Sequence, residues 1–564
     1  MAQRFCANIV RQFIAALAIL SLISATCARA AEHDDKCHGT RGAIIGAVAG
    51  TVVGLILAGD KKKNRLGMAL IAGSLGALLG HSIDQRRCRL KKIAKSYKLQ
   101  MEMSDIAVAD LRSATGSMAV PAEGGTSAVA SGDEASKQSF AGLVVMLRDD
   151  GNQFASGSDQ LTAQAEKYFG AIADTYAATE ETKALGDHPS AEQSAAVEAL
   201  RQRVVMLVGH TDDVGDSASN AGLSERRARA VAALFRLHGV PEDKIFFQGA
   251  GETLPIADNR LEEGRARNRR VEIVDLPDSD SLAAFIKRRL PRVENYRPVA
   301  TAQAEEAPAI AAAPHEAKPE ERPASAPRKR VPARRTPPAA KLAARPAPAS
   351  RAPMAPAPQS QAALRPDEFD FAGQPAAGFP AVDIGPVVSS RGISAIFIPS
   401  AHAATLQSSG LASCSGDRPR YAYAVKSLRT GAPLPFSTGD FMRGLYDTSW
   451  SALAGPHLVA LTHVSVLRDG GTPATRPTLM VFRDYARHPS KGAKPALTVQ
   501  PQVNVYRGER GVLYRVFAGD ARNLRCVDLV VPSQGGFSAP ASSLIYLRGS
   551  ARYRARWTAK VAGH

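Results

Sequence analysis

The run "RVVMLVGHTDD" ends an apolar segment in His210, Thr211, Asp212 and Asp213, and "LSERRARAVAALFRLHG" follows with Arg226, Arg227 and Arg229. A carboxylate where a strand ends and a guanidinium early in the next helix can be brought to one rim by the turn between them. Such a pair can meet opposite charges on a ligand. Each residue also has a plainer reading, Asp212 as a helix-approach cap and Arg227 as a solvated helix charge. His210 with Asp212 and Asp213 would suggest a metal, but the nearby His and Cys of a zinc site are missing. No metal and no cofactor is expected. No nucleophile stands with a base and an orienting third group, so no catalytic residue is assigned and the chain does not read as an enzyme.

The elements that must position these charges are legible around them. "GLVVMLRDDGNQFASGSDQLTAQAEKYFGAIADTYA" reads as strand, turn and helix, and "SAEQSAAVEALRQ" as a second helical piece. "RVVMLVGH" is a continuous apolar run, hence a strand buried on both faces. In the helix that follows, Leu223, Val231, Leu234 and Leu237 are expected to share one face, with Gly239 at its C-terminal cap. "KIFFQGAG" and "RRVEIVDL" read as strands. Strands alternating with helices predict an α/β layer fold.

These blocks together carry a resemblance. "FASGSDQL", "GHTDDVG", Asn220, "LSERRA", "GAGETLPIADN" and "EEGRARNRRVEI" occur in the order found in OmpA-like C-terminal domains, the peptidoglycan-binding module shared by OmpA, Pal and MotB. The resemblance covers about Phe140 to Leu276 and departs in a long spacer between "AIADTYA" and "RVVMLVGH". It implies that Asp212 pairs with the ammonium of diaminopimelate in the peptidoglycan stem peptide, while Arg227 forks onto its carboxylate. Backbone N–H groups at the helix start would favour the same carboxylate. Thr211, Asn220 and Leu223 match positions lining the pocket. Asn268, Arg269 and Arg270 match the closing motif, Arg270 with a structural alternative.

Outside this region the chain changes character. Residues 1–30 read as a secretory signal with cleavage after Ala30, acylation of Cys27 being the alternative. Four cysteines remain, and position favours Cys37 with Cys88 and Cys414 with Cys526 as disulfides of an oxidising compartment. Residues 37–88 place Gly42, Gly46, Gly50 and Gly54 in one helical stripe, with Gly73, Gly76 and Gly80 after a "DKKKN" loop. Two helices of about 17 residues, about 25 Å each, are expected to fold back on one another, short for a bilayer but long enough to engage lipid. The stretch resembles the glycine-zipper segments of SlyB-type envelope lipoproteins. The basic run "QRRCRLKKIAKSYK" conflicts with a positive-inside inner-membrane hairpin. The outer membrane facing the periplasm is therefore preferred, with this run lying on acidic headgroups.

Residues 105–137 read as a linker, 138–280 as the α/β domain, 297–391 as a disordered Pro/Ala/Arg-rich linker long enough to separate two domains, and 393–564 as a mostly β domain of unreadable function. The formal net charge of the 564 residues is +18. Much of that excess sits in the Pro-rich stretch and in the run after residue 84, without interleaved aromatics, so no nucleic-acid partner is expected. The sequence thus predicts a multidomain, non-enzymatic envelope protein. It would tether a membrane to peptidoglycan, through membrane lipids at the hairpin, and would leave envelope proteins as candidate partners of the C-terminal domain. A wall-anchored component of a secretion or motility machine is the alternative.

Overall fold

The computed structural model describes residues 82–107, 140–177, 191–297, 364–376, 382–388 and 411–563, apart from short gaps. The signal sequence, the glycine stripes and Cys37 lie outside the described residues. Among the described residues no helix is long and apolar enough to cross a membrane.

The basic run after residue 84 is helical, with its apolar side buried and Lys91, Lys92 and Lys95 exposed. Residues 82–97 form a helix, α1, packed on the α/β domain. Its Leu90 is fully buried in the domain core, with Ile93 and Tyr97 packed against it. Arg86 pairs with the buried Asp275 and lies 4.6 Å from the centroid of the Tyr176 ring. Apolar residues spaced three and four apart on α1 thus reach the core while its lysines face solvent. Strand β1 (Met101–Ala107) follows directly and pairs antiparallel with β2 (Phe140–Arg148), so the segment assigned as linker begins inside a strand.

The α/β domain continues with α2 (Ala163–Asp174), α3 (Ala191–Gln202), β3 (Val204–His210), α4 (Ser217–Leu237), β4 (Ile245–Gly251), α5 (Glu262–Asn268), β5 (Arg270–Leu276) and α6 (Ser279–Lys287). The sheet order is β1-β2-β5-β3-β4, with β3 and β4 parallel and the other neighbours antiparallel. Every residue of β3 is buried, as its unbroken apolar run requires. α2 and α4 pack on one face of the sheet, α6 on the other.

α4 starts six residues before its apolar pattern. Asp216 caps it, its carboxylate accepting from the Ser219 N–H at 2.8 Å. The buried face runs through Ala221, Ser224, Ala228, Val231, Ala232 and Phe235, whereas Leu237 is 73% exposed, against the expected apolar face. The small residues let α4 lie directly on β3 and β4. A Cβ on Gly209 would stand 2.2 Å from the Ser224 carbonyl oxygen, and one on Gly249 2.5 Å from the Glu225 nitrogen. Gly249→Ala should therefore push the helix off the sheet and cost about 1–3 kcal/mol. Urea denaturation checks this, and unchanged stability would show that the helix has room to move. Gly239, at φ +89, ends the helix in the left-handed region that its sequence predicted.

The C-terminal region is a sandwich of two antiparallel six-stranded sheets. One contains β8 (Thr448–Ala454), β9 (His457–Val464), β10 (Thr478–Phe482), β11 (Leu497–Val499), β15 (Ser538–Ala539) and β18 (Ala559–Val561). The other contains β6 (Gln374–Pro375), β12 (Gln502–Arg507), β13 (Gly511–Phe517), β14 (Leu524–Pro532), β16 (Ser543–Arg548) and β17 (Ala551–Arg556). Trp450, Trp557, Tyr514 and Tyr546 fill the core between them. Phe369 and Phe371 belong to that core and lie inside the segment assigned to the Pro-rich linker. The expected disulfide between Cys414 and Cys526 is present, and Cys88 is also disulfide-bonded, to a partner outside the described residues.

The two folded regions touch, contrary to the separation expected of the linker. β7 (Lys426–Ser427) pairs antiparallel with β4, adding a sixth strand to the α/β sheet. Val293 and Tyr296, just after the α/β domain, pack against Val382, Ile384, Tyr506, Leu513 and Val530 of the sandwich.

Candidate functional site

The register of the sheet brings the predicted charges to one end. Arg148 opposes Arg270 across β2 and β5, and His210 opposes Arg270 across β3 and β5. The next residues along, Asp149, Arg269 and Thr211–Asp212, therefore lie in a row on three neighbouring strands. Asp149 donates its N–H to the Arg269 carbonyl at 2.8 Å. Two strand spacings, about 10 Å, separate the ends of β2 and β3.

The charges pair differently from the expectation. Arg269 Nη1 donates to Asp212 Oδ2 at 2.7 Å, and Arg269 Nη2 to Glu262 Oε1 at 3.2 Å. Arg227 reaches across the rim, donating from Nη1 to Asp149 Oδ2 at 3.2 Å and from Nε to the Ser158 carbonyl at 3.0 Å. Its guanidinium lies 4.7 Å from the centroid of the Phe154 ring. No ion pair joins Asp212 to Arg227 among the described residues. The result is two adjacent ion pairs: in one the Asp212 side chain is 14% exposed beside a more open Arg269, and in the other both Arg227 and Asp149 are nearly buried. Burial pushes the Arg227 guanidinium below its usual range against the pull of Asp149. Burial works the same way on Arg269, but the hydrogen bonds and charges of Asp212 and Glu262 outweigh it and hold that guanidinium up.

The turn after β3 is held firmly. Asp212 Oδ1 accepts from the Val214 N–H at 3.2 Å. Asn220 donates to the Asp212 carbonyl at 3.4 Å, to the Val214 carbonyl at 3.0 Å and to Glu252 at 3.2 Å. Arg297 forks onto the Asp213 carboxylate at 3.3 and 3.0 Å. The Thr211 hydroxyl is buried beside Asp212 and has no hydrogen-bond partner among the described residues. Leu223 is half-buried on α4.

Three expectations change. Asn268 is fully buried and uses its amide inside the protein: Oδ1 accepts from Ile256 and Ala257, and Nδ2 donates to the Ala257 carbonyl and to Asn259. It shapes the loop before α5 and has nothing left for a ligand. Arg270 is buried against Glu272, with further bonds to the Asn268 and Leu254 carbonyls, and is structural. The start of α4 lies ten residues before Arg227, about 15 Å along the axis, and Asp216 already occupies one of its N–H groups. The helix N-terminus therefore does not supplement Arg227. Beneath the site, burial and the Arg270 charge push His210 down to about 4, so the imidazole is neutral. Asp149, Phe154 and Ser158 were missed in the sequence reading. Their signal was the acidic pair and glycine of "RDDGNQF", which ends β2 at the rim.

This geometry coincides with a known module. Residues 153–269 match the OmpA family. Over 70 residues the chain is 51% identical to the outer-membrane lipoprotein YfiB of Pseudomonas aeruginosa, covering 12% of this chain and 42% of that protein. A 70-residue stretch is 47% identical to the peptidoglycan-binding protein ArfA of Mycobacterium bovis, covering 12% and 22%. The chain thus spans less than half of either relative. Among solved structures, the cell wall anchor of the T6SS from Pseudomonas aeruginosa aligns at 27% identity and a TM-score of 0.19, over 25% of this chain and 85% of that one.

Proposed function

We propose that the OmpA-like domain binds peptidoglycan through the diaminopimelate end of the stem peptide and tethers the envelope to the wall. The observation that carries this reading is the pair of ion pairs at the sheet end. A zwitterion entering between them can add its ammonium to Asp212 and its carboxylate to Arg227, with Arg269 still held by Glu262 and Asp149 still beside Arg227, so no charge is stranded. The unpartnered Thr211 hydroxyl can serve the same ligand. Asn220 and Leu223 line the approach, and Arg269 holds Asp212 until the ligand arrives. The family match and the peptidoglycan-binding relative support the reading. An outer-membrane lipoprotein among the relatives supports a place in the envelope, with the outer membrane preferred. The glycine-striped segment would supply the contact with lipid, and a Cys37–Cys88 disulfide would close its open end. Wild-type protein should pellet with diaminopimelate-type sacculi at a salt concentration that screens its surplus positive charge. Failure to pellet would refute wall binding.

A further inference from the structure

The turn that presents Asp212 is gripped from outside its own domain. Every carbonyl from Asp212 to Gly215 accepts a side-chain hydrogen bond. Asn220 serves Asp212 and Val214, while the guanidinium of Arg418, from the C-terminal region, serves Asp213 at 2.5 Å and Gly215 at 3.5 Å. Arg418 Nη2 also lies 2.8 Å from both oxygens of Glu252, a fully buried carboxylate whose other partner is Asn220. One arginine therefore ties the turn, and through Glu252 and Asn220 the first turns of α4, to the sandwich.

Arg418 is itself fixed on both sides. Upstream, Cys414 is bonded to Cys526 on β14. The Asp417 carboxylate is held by Arg420 at 2.6 Å, Arg515 at 3.0 Å and the Tyr506 hydroxyl at 2.8 Å, and Asn504 donates to the Arg418 carbonyl at 2.8 Å. Downstream, the chain runs antiparallel along β4. Tyr421 N–H donates to the Ser217 hydroxyl at 2.8 Å, Tyr423 N–H to the Gly249 carbonyl at 2.8 Å, and Leu428 N–H to the Ile245 carbonyl at 2.9 Å. Lys426 pairs with Glu225 on α4. A strap with one end in the sandwich core and the other in the α/β sheet transmits position rather than absorbing it.

We infer that Arg418 is a positioning residue for the wall site, so that docking of the C-terminal sandwich sets the affinity of the OmpA-like domain for diaminopimelate peptidoglycan. This rests on the wall-binding reading above. The coupling is reciprocal: wall binding tightens the strap, and whatever draws the sandwich away weakens the wall site. The test uses the full chain. Arg418→Ala should weaken sedimentation with diaminopimelate sacculi about tenfold, a typical coupling between sites. Amides of 212–216 should exchange faster with deuterium, while those of β3 and β5 keep their protection. Arg418→Lys should recover part of the affinity, because one ammonium can meet Glu252 but cannot fork to two carbonyls. The double variant Arg418→Ala, Glu252→Gln removes the stranded carboxylate and should show the same loss of affinity in a fully folded protein. Wild-type binding that Arg418→Ala and the double variant leave unchanged would overturn this inference alone. A wild-type protein that does not bind would instead overturn the wall-binding reading on which it rests.

Discussion

Alanine at Asp212 or at Arg227 is expected to abolish most sedimentation with diaminopimelate-type peptidoglycan while the sheet and α4 stay folded. Losing one member of a partly desolvated charge pair costs on the order of 2–5 kcal/mol of binding. The two variants should differ in stability. Asp212→Ala leaves Arg269 with Glu262 as its partner. Arg227→Ala leaves the nearly buried Asp149 without its cation, so it should also lower the unfolding midpoint. Arg229→Ala, exposed on the same helix, should change little. Circular dichroism and sedimentation on the same samples separate the effects. Wild-type binding by a folded Asp212→Ala, Arg227→Ala double variant would show that the ligand does not bridge these charges.

The second large effect belongs to the sandwich. Arg515, 1% exposed, donates to both oxygens of Asp528 at 2.8 and 3.0 Å and to Asp417 at 3.0 Å. The Arg420 and Arg515 charges and the Tyr506 hydroxyl hold the Asp417 carboxyl below its usual range despite burial. Arg515→Met keeps much of the volume and strands the buried Asp528, while Asp417 keeps Arg420 and Tyr506, so it should cost about 3–5 kcal/mol. Guanidinium denaturation followed by tryptophan fluorescence reads this directly, since Trp450 and Trp557 lie in the sandwich core. A loss under about 1 kcal/mol, the scale of an exposed pair, would contradict a buried structural role. Because Asp417 precedes Arg418, the same variant should also weaken wall binding.

Local patterns told much of this in advance. The unbroken apolar run of β3 announced a strand buried on both faces, whereas β5 is buried as fully although Arg270, Glu272 and Asp275 interrupt its pattern, because those charges pair inside the protein. Asp212 and Arg227 stood out through the order of motifs around them, and the sheet brings both to one end. Their actual partners were not. Asp149 is 78 residues from Arg227, and Arg418 is 205 residues from the turn that it holds. Nothing in local composition encodes a contact across such a distance. The early start of α4 was hidden in "SASNAG", whose small polar residues are weak helix formers and depend on the Asp216 cap. Phe369 and Phe371 were lost among neighbouring prolines and alanines, although each fills the sandwich core.

The central claim is recognition of a zwitterionic side-chain end, and comparison of two peptidoglycans tests it most directly. Diaminopimelate carries both an ammonium and a carboxylate there, whereas lysine at the same stem position carries the ammonium alone. Full-length protein should be titrated with purified sacculi of each type at matched, screening salt, so that net charge contributes equally to both. The account predicts saturable pelleting with the diaminopimelate type and a large loss with the lysine type, because Arg227 then has no carboxylate to fork onto. Equal pelleting with both would contradict it.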